Sequence, residues 1–146
     1  MIQRLQSVFL FLASGSCFGL FGTDAADSEQ PVAGSELFAD GSFDVFDDPV
    51  LIGVFALAGL LFLVDIFLFG NRPLQAKLST AGIVLAVAGT AYGAFRFFST
   101  TSEQVMASVT PDLGIGLPVL ALIFGALASK YIKADEKLVR SADRLR

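Results

Sequence analysis

Residues 49–98 read PVLIGVFALAGLLFLVDIFLF, then GNRPLQAK, then LSTAGIVLAVAGTAYGAFRFF. Each apolar run is about 20 residues long, which is enough for a helix to cross the hydrocarbon core of a bilayer. Asp48 followed by Pro49 is a favourable helix start, and Gly70, Asn71 and Pro73 are typical of a turn between two helices. The stretch therefore predicts two antiparallel membrane-spanning helices, at about 49–69 and 74–98.

Two further apolar runs flank this pair, at about 5–22 and 113–133. Together the four runs predict an all-α fold, a transmembrane four-helix bundle in which residues 1–146 form a single membrane domain. The first run has more than one interpretation. It is either a retained helix, which we favour, or a cleaved signal peptide with a cut site near Ala25 and Ala26. A lipoprotein anchored through Cys17 is a third alternative, which we disfavour because the aliphatic residue expected three positions before the Cys is missing.

Three polar segments connect or follow the apolar runs. Residues 23–48 contain no Lys or Arg and form an acidic outer loop, and residues 99–112 form a second outer loop. Residues 134–146 form a tail in which Leu138, Ala142 and Leu145 recur at roughly helical spacing. This pattern predicts an amphipathic C-terminal extension of the fourth helix.

The cations are distributed unequally between the two sides of the predicted bundle. With four spans, Arg96 falls toward one side, and all other Lys and Arg residues fall on the opposite side. They are Arg4, Arg72, Lys77, Lys130, Lys133, Lys137, Arg140, Arg144 and Arg146. Because cytoplasmic loops are enriched in Lys and Arg, this pattern predicts that both termini are cytoplasmic. We expect a multi-pass protein of the plasma (inner) membrane.

The composition argues against several classes of function. The chain is 54% hydrophobic and 16% charged, and it contains one Cys and no His. Without His it lacks the commonest metal ligand and the usual general base near neutral pH. The net charge of −4 disfavours nucleic-acid binding. We therefore expect no enzyme activity, no cofactor, no metal site and no nucleic-acid partner.

Several segments resemble a known family. The start MIQRLQS, the turn NRPLQAKL, the pair Leu117–Pro118 and above all the tail KADEKLVRSADRLR are similar to the bacterial domain-of-unknown-function family 4293. The resemblance extends over the whole chain. It implies a small four-helix integral membrane protein, and it implies no catalytic residues because the family has no known activity.

Asp65 is the acidic residue that lies inside an apolar run. Ionisable residues within a membrane segment are candidates for a functional site, and a partner should be sought for each. Asp65 is near the predicted end of its helix, so we expect an intramembrane ion pair with Arg72 or Lys77 across the turn. The alternative interpretation is a proton or ion site.

Small residues recur at four-residue spacing on two of the predicted helices. They are Gly89 and Gly93 on the third helix, and Ala121, Gly125 and Ser129 on the fourth. This spacing places small side chains on one helix face and allows close helix packing. We expect these residues to pack the bundle.

Two functions remain open at this stage. The first is a structural, accessory or assembly subunit without catalytic activity, whose partners are the lipid bilayer and another membrane or cytoplasmic protein bound through the basic tail. The alternative is a small transporter or channel subunit that acts as an oligomer. The sequence leaves the oligomeric state open. The variant Asp65→Asn discriminates between the two functions, because loss of function with normal assembly favours transport.

Overall fold

The computed structural model describes residues 2–29, 31 and 35–143, and it is mostly helical. Four of its helices are long and apolar enough to cross a membrane. In chain order the elements are helix α1 (Ile2–Gly19), strands β1 (Ala26–Ser28) and β2 (Ser42–Phe43), helices α2 (Pro49–Phe67), α3 (Arg72–Thr100) and α4 (Glu103–Met106), strand β3 (Val109–Pro111) and helix α5 (Leu117–Asp143).

The helix ends differ from the predicted ones by a few residues. Residues 20–22 and 113–116 form short 3-10 turns, so α1 ends at Gly19 and α5 begins at Leu117. α3 extends at both ends, from Arg72 to Thr100. α5 continues without interruption past residue 133 to Asp143, whereas residues 144–146 of the predicted tail lie outside the described residues.

Each long helix buries a face whose residues alternate at spacings of four and three. On α1 the buried residues include Gln6, Leu10, Ala13 and Cys17, and on α2 they include Leu51, Phe55, Ala58, Phe62 and Asp65. On α3 they are Gln75, Ser79, Gly82, Ala86 and Gly89, and on α5 they include Ala121, Gly125, Ala128 and Ile132. This repeat is typical of helices that cross at about 20° and pack knobs into holes. The apolar runs thus form a bundle around one seam.

The helices run alternately up and down. α1 packs mainly against α5 and α2, and α3 closes the ring by packing against α2 and α5. At one end Gln6 Nε2 donates a hydrogen bond to the Tyr131 carbonyl oxygen (3.1 Å). At the other end Tyr92 on α3 donates to Asp48, which immediately precedes α2. We refer to the end with Tyr131 as the basic end, and to the end with Asp48 as the acidic end.

The two segments predicted as outer loops contain a small antiparallel sheet with strand order β2-β1-β3. In it Ala26 pairs with Phe43 on one side and with Pro111 on the other. The loops therefore cover the acidic end as a folded unit, which we call the acidic cap (residues 23–29, 35–48 and 109–116). Two-sided pairing gives the central strand β1 backbone partners that a free loop would lack.

Side-chain caps fix the starts of α2 and α3. Asp48 Oδ1 accepts a hydrogen bond from the Val50 N–H (2.8 Å) at the start of α2, as the Asp48–Pro49 pair predicts. Asn71 Oδ1 accepts from the Leu74 N–H (3.3 Å) at the start of α3. The Asn71 cap begins α3 directly after the turn that follows α2.

Candidate functional site

A cluster of polar side chains is buried between α2 and α3 near the basic end. Asp65, Gln75 and Ser79 are 0–1% exposed. Gln75 Nε2 donates a hydrogen bond to the Asp65 carbonyl oxygen (3.1 Å), which fixes the orientation of the amide. Both carboxylate oxygens of Asp65, together with Gln75 Oε1 and Ser79 Oγ, have no hydrogen-bond partner among the described residues. We call these three side chains the seam cluster.

The structure does not bring Asp65 together with the two cations expected to pair with it. Arg72 Nε lies 2.6 Å from Asp135 Oδ2 on α5, so its ion pair joins α3 to α5. Lys77 is exposed on α3. The reason is the helix face: Asp65 continues the inward repeat of α2, whereas Arg72 and Lys77 lie outside the inward repeat of α3. The predicted ion pair of Asp65 with Arg72 or Lys77 is therefore replaced by Arg72–Asp135.

A second polar group lies at the acidic end and joins α3 to the acidic cap. Tyr92 Oη donates a hydrogen bond to Asp48 Oδ2 (2.8 Å), and Arg96 Nε lies 3.1 Å from the same oxygen. Arg96 Nη2 also donates to Glu36 Oε2 (3.4 Å). Asp48 is 7% exposed, so it is a mostly buried carboxylate with a cation beside it. It caps α2 and holds α3 at the same time.

Arg96→Gln is expected to lower the free energy of unfolding by about 1–3 kcal/mol, because it leaves the buried Asp48 carboxylate without its cation. Reversible unfolding in mixed SDS and dodecylmaltoside micelles measures this change, and limited proteolysis of residues 23–48 reports loosening of the cap. Arg140→Gln is the matched control. Its ion pair with Glu136 lies on the exposed surface, and we expect a loss below about 0.5 kcal/mol. Equal losses in the two variants would contradict the assigned role of Arg96.

The acidic cap holds like charges close together. Burial raises the pKa of Asp47 to about 6, and the nearby carboxylates of Asp44, Asp40 and Asp24 add to the increase. The Asp44 N–H donates to Asp47 Oδ2 (2.8 Å) and acts in the opposite direction. Partial burial and then the neighbouring carboxylates, beginning with Asp27, raise the pKa of Asp24. The carboxylates of the cap therefore repel one another, and strand pairing and the Arg96 ion pairs offset this repulsion.

An apolar cavity of about 340 Å³ lies under the acidic cap, between the sheet and the outer halves of α2 and α3. Leu51, Phe55, Gly89, Gly93 and Phe97 are among the residues that line it. The hydroxyls of its two threonines already donate to carbonyl oxygens of the preceding helical turn, Thr23 to Gly19 and Thr90 to Ala86. The cavity thus offers apolar contact and fits an apolar occupant.

The predicted packing residues lie in the bundle seam, and two of them are tightly packed. A Cβ on Gly89 would lie 2.9 Å from Val54 Cγ1, and one on Gly125 would lie 3.0 Å from Phe62 Cζ. A Cβ on Gly93 would make an ordinary contact, 3.5 Å from Leu51 Cδ2. Ala121 is 0% exposed and Ser129 is 7% exposed.

Sequence analysis missed Phe62, the residue that Gly125 and Gly82 accommodate. The Phe62 ring is 0% exposed and lies between Gly125 on α5 and Gly82 on α3, where an added Cβ would be 2.9 Å from Phe62 Cε1. A usable signal was present, because Gly82 precedes Gly89 by seven residues, which is about two helical turns, and therefore lies on the same helix face. Gly114 was also missed: its close approach to the backbone of Asp24 joins the two parts of the acidic cap.

The end of α5 extends beyond the other helices. Asp135 lies beside Arg72, the first residue of α3, and α5 continues for about two more turns to Asp143. Along this projecting part Lys137, Leu138, Val139 and Arg140 are exposed. It therefore carries cations beside apolar side chains that are not buried in the bundle.

Within residues 2–29, 31 and 35–143, no group of three or more His, Cys, Asp or Glu residues is placed to hold a metal ion. Comparison with curated proteins found no match. The family model for a domain of unknown function, DUF4293, matches residues 2–145, which is nearly the whole chain. The chain therefore belongs to the DUF4293 family, whose function is unknown.

Proposed function

We propose that the protein is an accessory or assembly subunit of the bacterial inner membrane, with no catalytic activity of its own. Four long apolar helices support a membrane location. Large apolar side chains such as Phe11, Phe67, Phe95 and Phe98 are more than half exposed on the bundle surface, where lipid would cover them. The absence of His and the burial of Cys17 support the lack of catalysis.

The proposed topology places both termini in the cytoplasm. The ion pair of Arg72 with Asp135 and the contact of Gln6 with Tyr131 bring the start of α1, the α2–α3 turn and the end of α5 to one end of the bundle. That end carries the cations of α3 and α5 other than Arg96, and the acidic cap lies at the opposite end. This distribution supports a cytoplasmic basic end by the positive-inside rule.

The projecting end of α5 is the observation that carries the accessory role. Leu138 is 55% exposed beside Lys137 and Arg140, a little less than one helical turn beyond the Arg72–Asp135 ion pair with α3. An exposed helix face with apolar side chains among charges is a common surface for protein recognition. The cytoplasmic or membrane partner would bind here, and anionic lipid would neutralise the cations that remain exposed.

The experiment isolates the protein from native membranes in mild detergent and quantifies what co-purifies with it. The double variant Leu138→Ser with Val139→Ser is expected to reduce a stoichiometric partner by about tenfold or more, since apolar anchors dominate such contacts. Leu113→Ser, at the acidic end and 78% exposed, is the control that should retain the partner. Retention of the partner in the double variant would contradict binding through α5.

The second candidate is a small transporter or channel subunit, and the buried seam cluster favours it. Uncompensated ionisable residues in a membrane span mark ion pathways in many proteins. A purified homo-oligomer with no second protein would contradict the accessory role and leave this candidate. Ion flux into liposomes, measured with and without Asp65→Asn, is then the deciding measurement.

A further inference from the structure

We propose that the seam cluster binds one monovalent alkali cation, with Na⁺ as its test ligand, between α2 and α3. The inference goes beyond the proposed function, because it concerns a binding site of the isolated chain and holds for a structural or a transported ion. The observations that carry it are the positions, the unpaired oxygens and the charge of Asp65, Gln75 and Ser79.

The three side chains converge on one level of the seam. Phe62 on α2 is in contact with Gly82 on α3. Since the two helices are antiparallel, three residues forward from Phe62 and three residues back from Gly82 bring Asp65 and Ser79 to the same level. Gln75 is the third side chain. It lies on the side of the α2–α3 turn, and its hydrogen bond to the Asp65 carbonyl oxygen holds it beside Asp65.

The unpaired atoms at this level are all oxygens. They are Asp65 Oδ1 and Oδ2, Gln75 Oε1 and Ser79 Oγ, and no described residue hydrogen-bonds to them. Other buried polar side chains of the bundle have partners, since Ser14 Oγ donates to the Gly59 carbonyl oxygen (2.9 Å) and Gln6 donates to Tyr131. Thr101 Oγ1, just past the end of α3, lacks a hydrogen-bond partner among the described residues, but it stands apart from the seam cluster in the sequence and at the opposite end of α3. Since buried polar atoms in folded proteins nearly always have partners, four adjacent unpaired oxygens indicate a ligand that accepts lone pairs.

The charge of the cluster selects a monovalent ion. An ionised carboxylate in an apolar seam is costly unless a positive charge lies beside it. Arg72 is engaged by Asp135 and Lys77 is exposed, so neither supplies that charge. One carboxylate neutralises one monovalent cation, whereas a divalent ion would leave a buried positive charge. Carboxylate, amide and hydroxyl oxygens are suitable ligands for such a hard cation.

The test is thermal unfolding of the purified full-length chain in detergent, in NaCl, KCl or choline chloride at constant ionic strength. Na⁺ at ten times its Kd is expected to raise Tm by about 3–6 °C, with saturation at higher concentration. Asp65→Asn keeps the shape of the side chain and removes its charge, so it should lose the Na⁺-dependent shift. Ser79→Ala keeps the charge and removes one ligand, so it should shift the midpoint of the Na⁺ titration several-fold upward.

Asp135→Asn is the matched control, because it removes a carboxylate from the same end of the bundle but outside the seam. It should retain the full Na⁺ shift. Identical Tm values of the wild type in all three salts would overturn the proposal, since Asp65 would then be held as a neutral acid. A Na⁺ shift that persists in Asp65→Asn would also overturn it and would assign the ion to the protein surface.

Discussion

Phe62→Ala is expected to lower the free energy of unfolding by about 3–5 kcal/mol, the largest loss for any single side chain of the seam. The ring is fully buried, and it occupies the space left by the missing side chains of Gly82 and Gly125. Its removal leaves a cavity bordered by two glycines that have no side chains to fill it. Reversible unfolding in mixed micelles measures the loss. Phe67→Ala, 72% exposed on the same helix, is the control and should cost much less.

The contact of Phe62 with the two glycines also predicts the effect of substituting either glycine. Gly82→Ala or Gly125→Ala should each cost about 1–3 kcal/mol, because the new Cβ would meet the Phe62 ring at 2.9–3.0 Å. Gly53→Ala is the control, since a Cβ there meets nothing within 4 Å. The smaller side chain in Phe62→Leu should relieve part of the cost of Gly82→Ala. Strict additivity in that double-mutant cycle would contradict direct contact.

Gly114→Ala is expected to destabilise the acidic cap by about 3 kcal/mol. The new Cβ would overlap the carbonyl oxygen of Asp24 and lie 2.7 Å from its carbonyl carbon. These are backbone atoms that cannot rotate away, and the Gly114 N–H donates to the same oxygen (2.9 Å). Relief of the overlap would separate residues 112–114 from residues 24–25, next to the β1–β3 pairing.

Amide hydrogen exchange of residues 26–28 measures this effect directly, and it should accelerate in Gly114→Ala while exchange within α2 changes little. Gly116→Ala is two residues away and is the matched control, because a Cβ there meets nothing within 4 Å. Equal exchange rates in the two variants would show that the cap does not depend on the close approach of Gly114 to Asp24.

The helices were predictable because their signals are local. Apolar length predicted four spans, and the Asp48–Pro49 and Asn71 signals marked where α2 and α3 begin. The inward position of Asp65 was also present in the sequence, because it continues the four-three spacing of Leu51, Phe55, Ala58 and Phe62. The predicted ion pair of Asp65 with Arg72 or Lys77 relied on proximity in the sequence and ignored which helix face each residue occupies. For that reason it assigned Asp65 the wrong neighbours.

The acidic cap was not predictable from local signals. Its strands are two or three residues long, and they include Asp and Ser, which are unfavourable in strands. The pairing of Ala26 with Pro111 joins segments far apart in the sequence, so no local pattern reports it. The ion pair of Arg72 with Asp135 was not predictable for a similar reason, because it depends on how far α5 continues past the bundle.

The central position of β1 has a consequence for biosynthesis. β1 is made early, but its partner β3 follows about 80 residues later, which at ordinary translation rates is a delay of about 4–16 s. The delay between synthesis of α1 and of its neighbour α5 is even longer, because α5 is the last helix to be made. During this interval the first helix pair and an open strand edge coexist in a partly inserted chain. Completion of the acidic cap and closure of the ring are therefore late events: the acidic cap can be completed only after β3 has been made, and the ring can close only when the last helix enters the bundle.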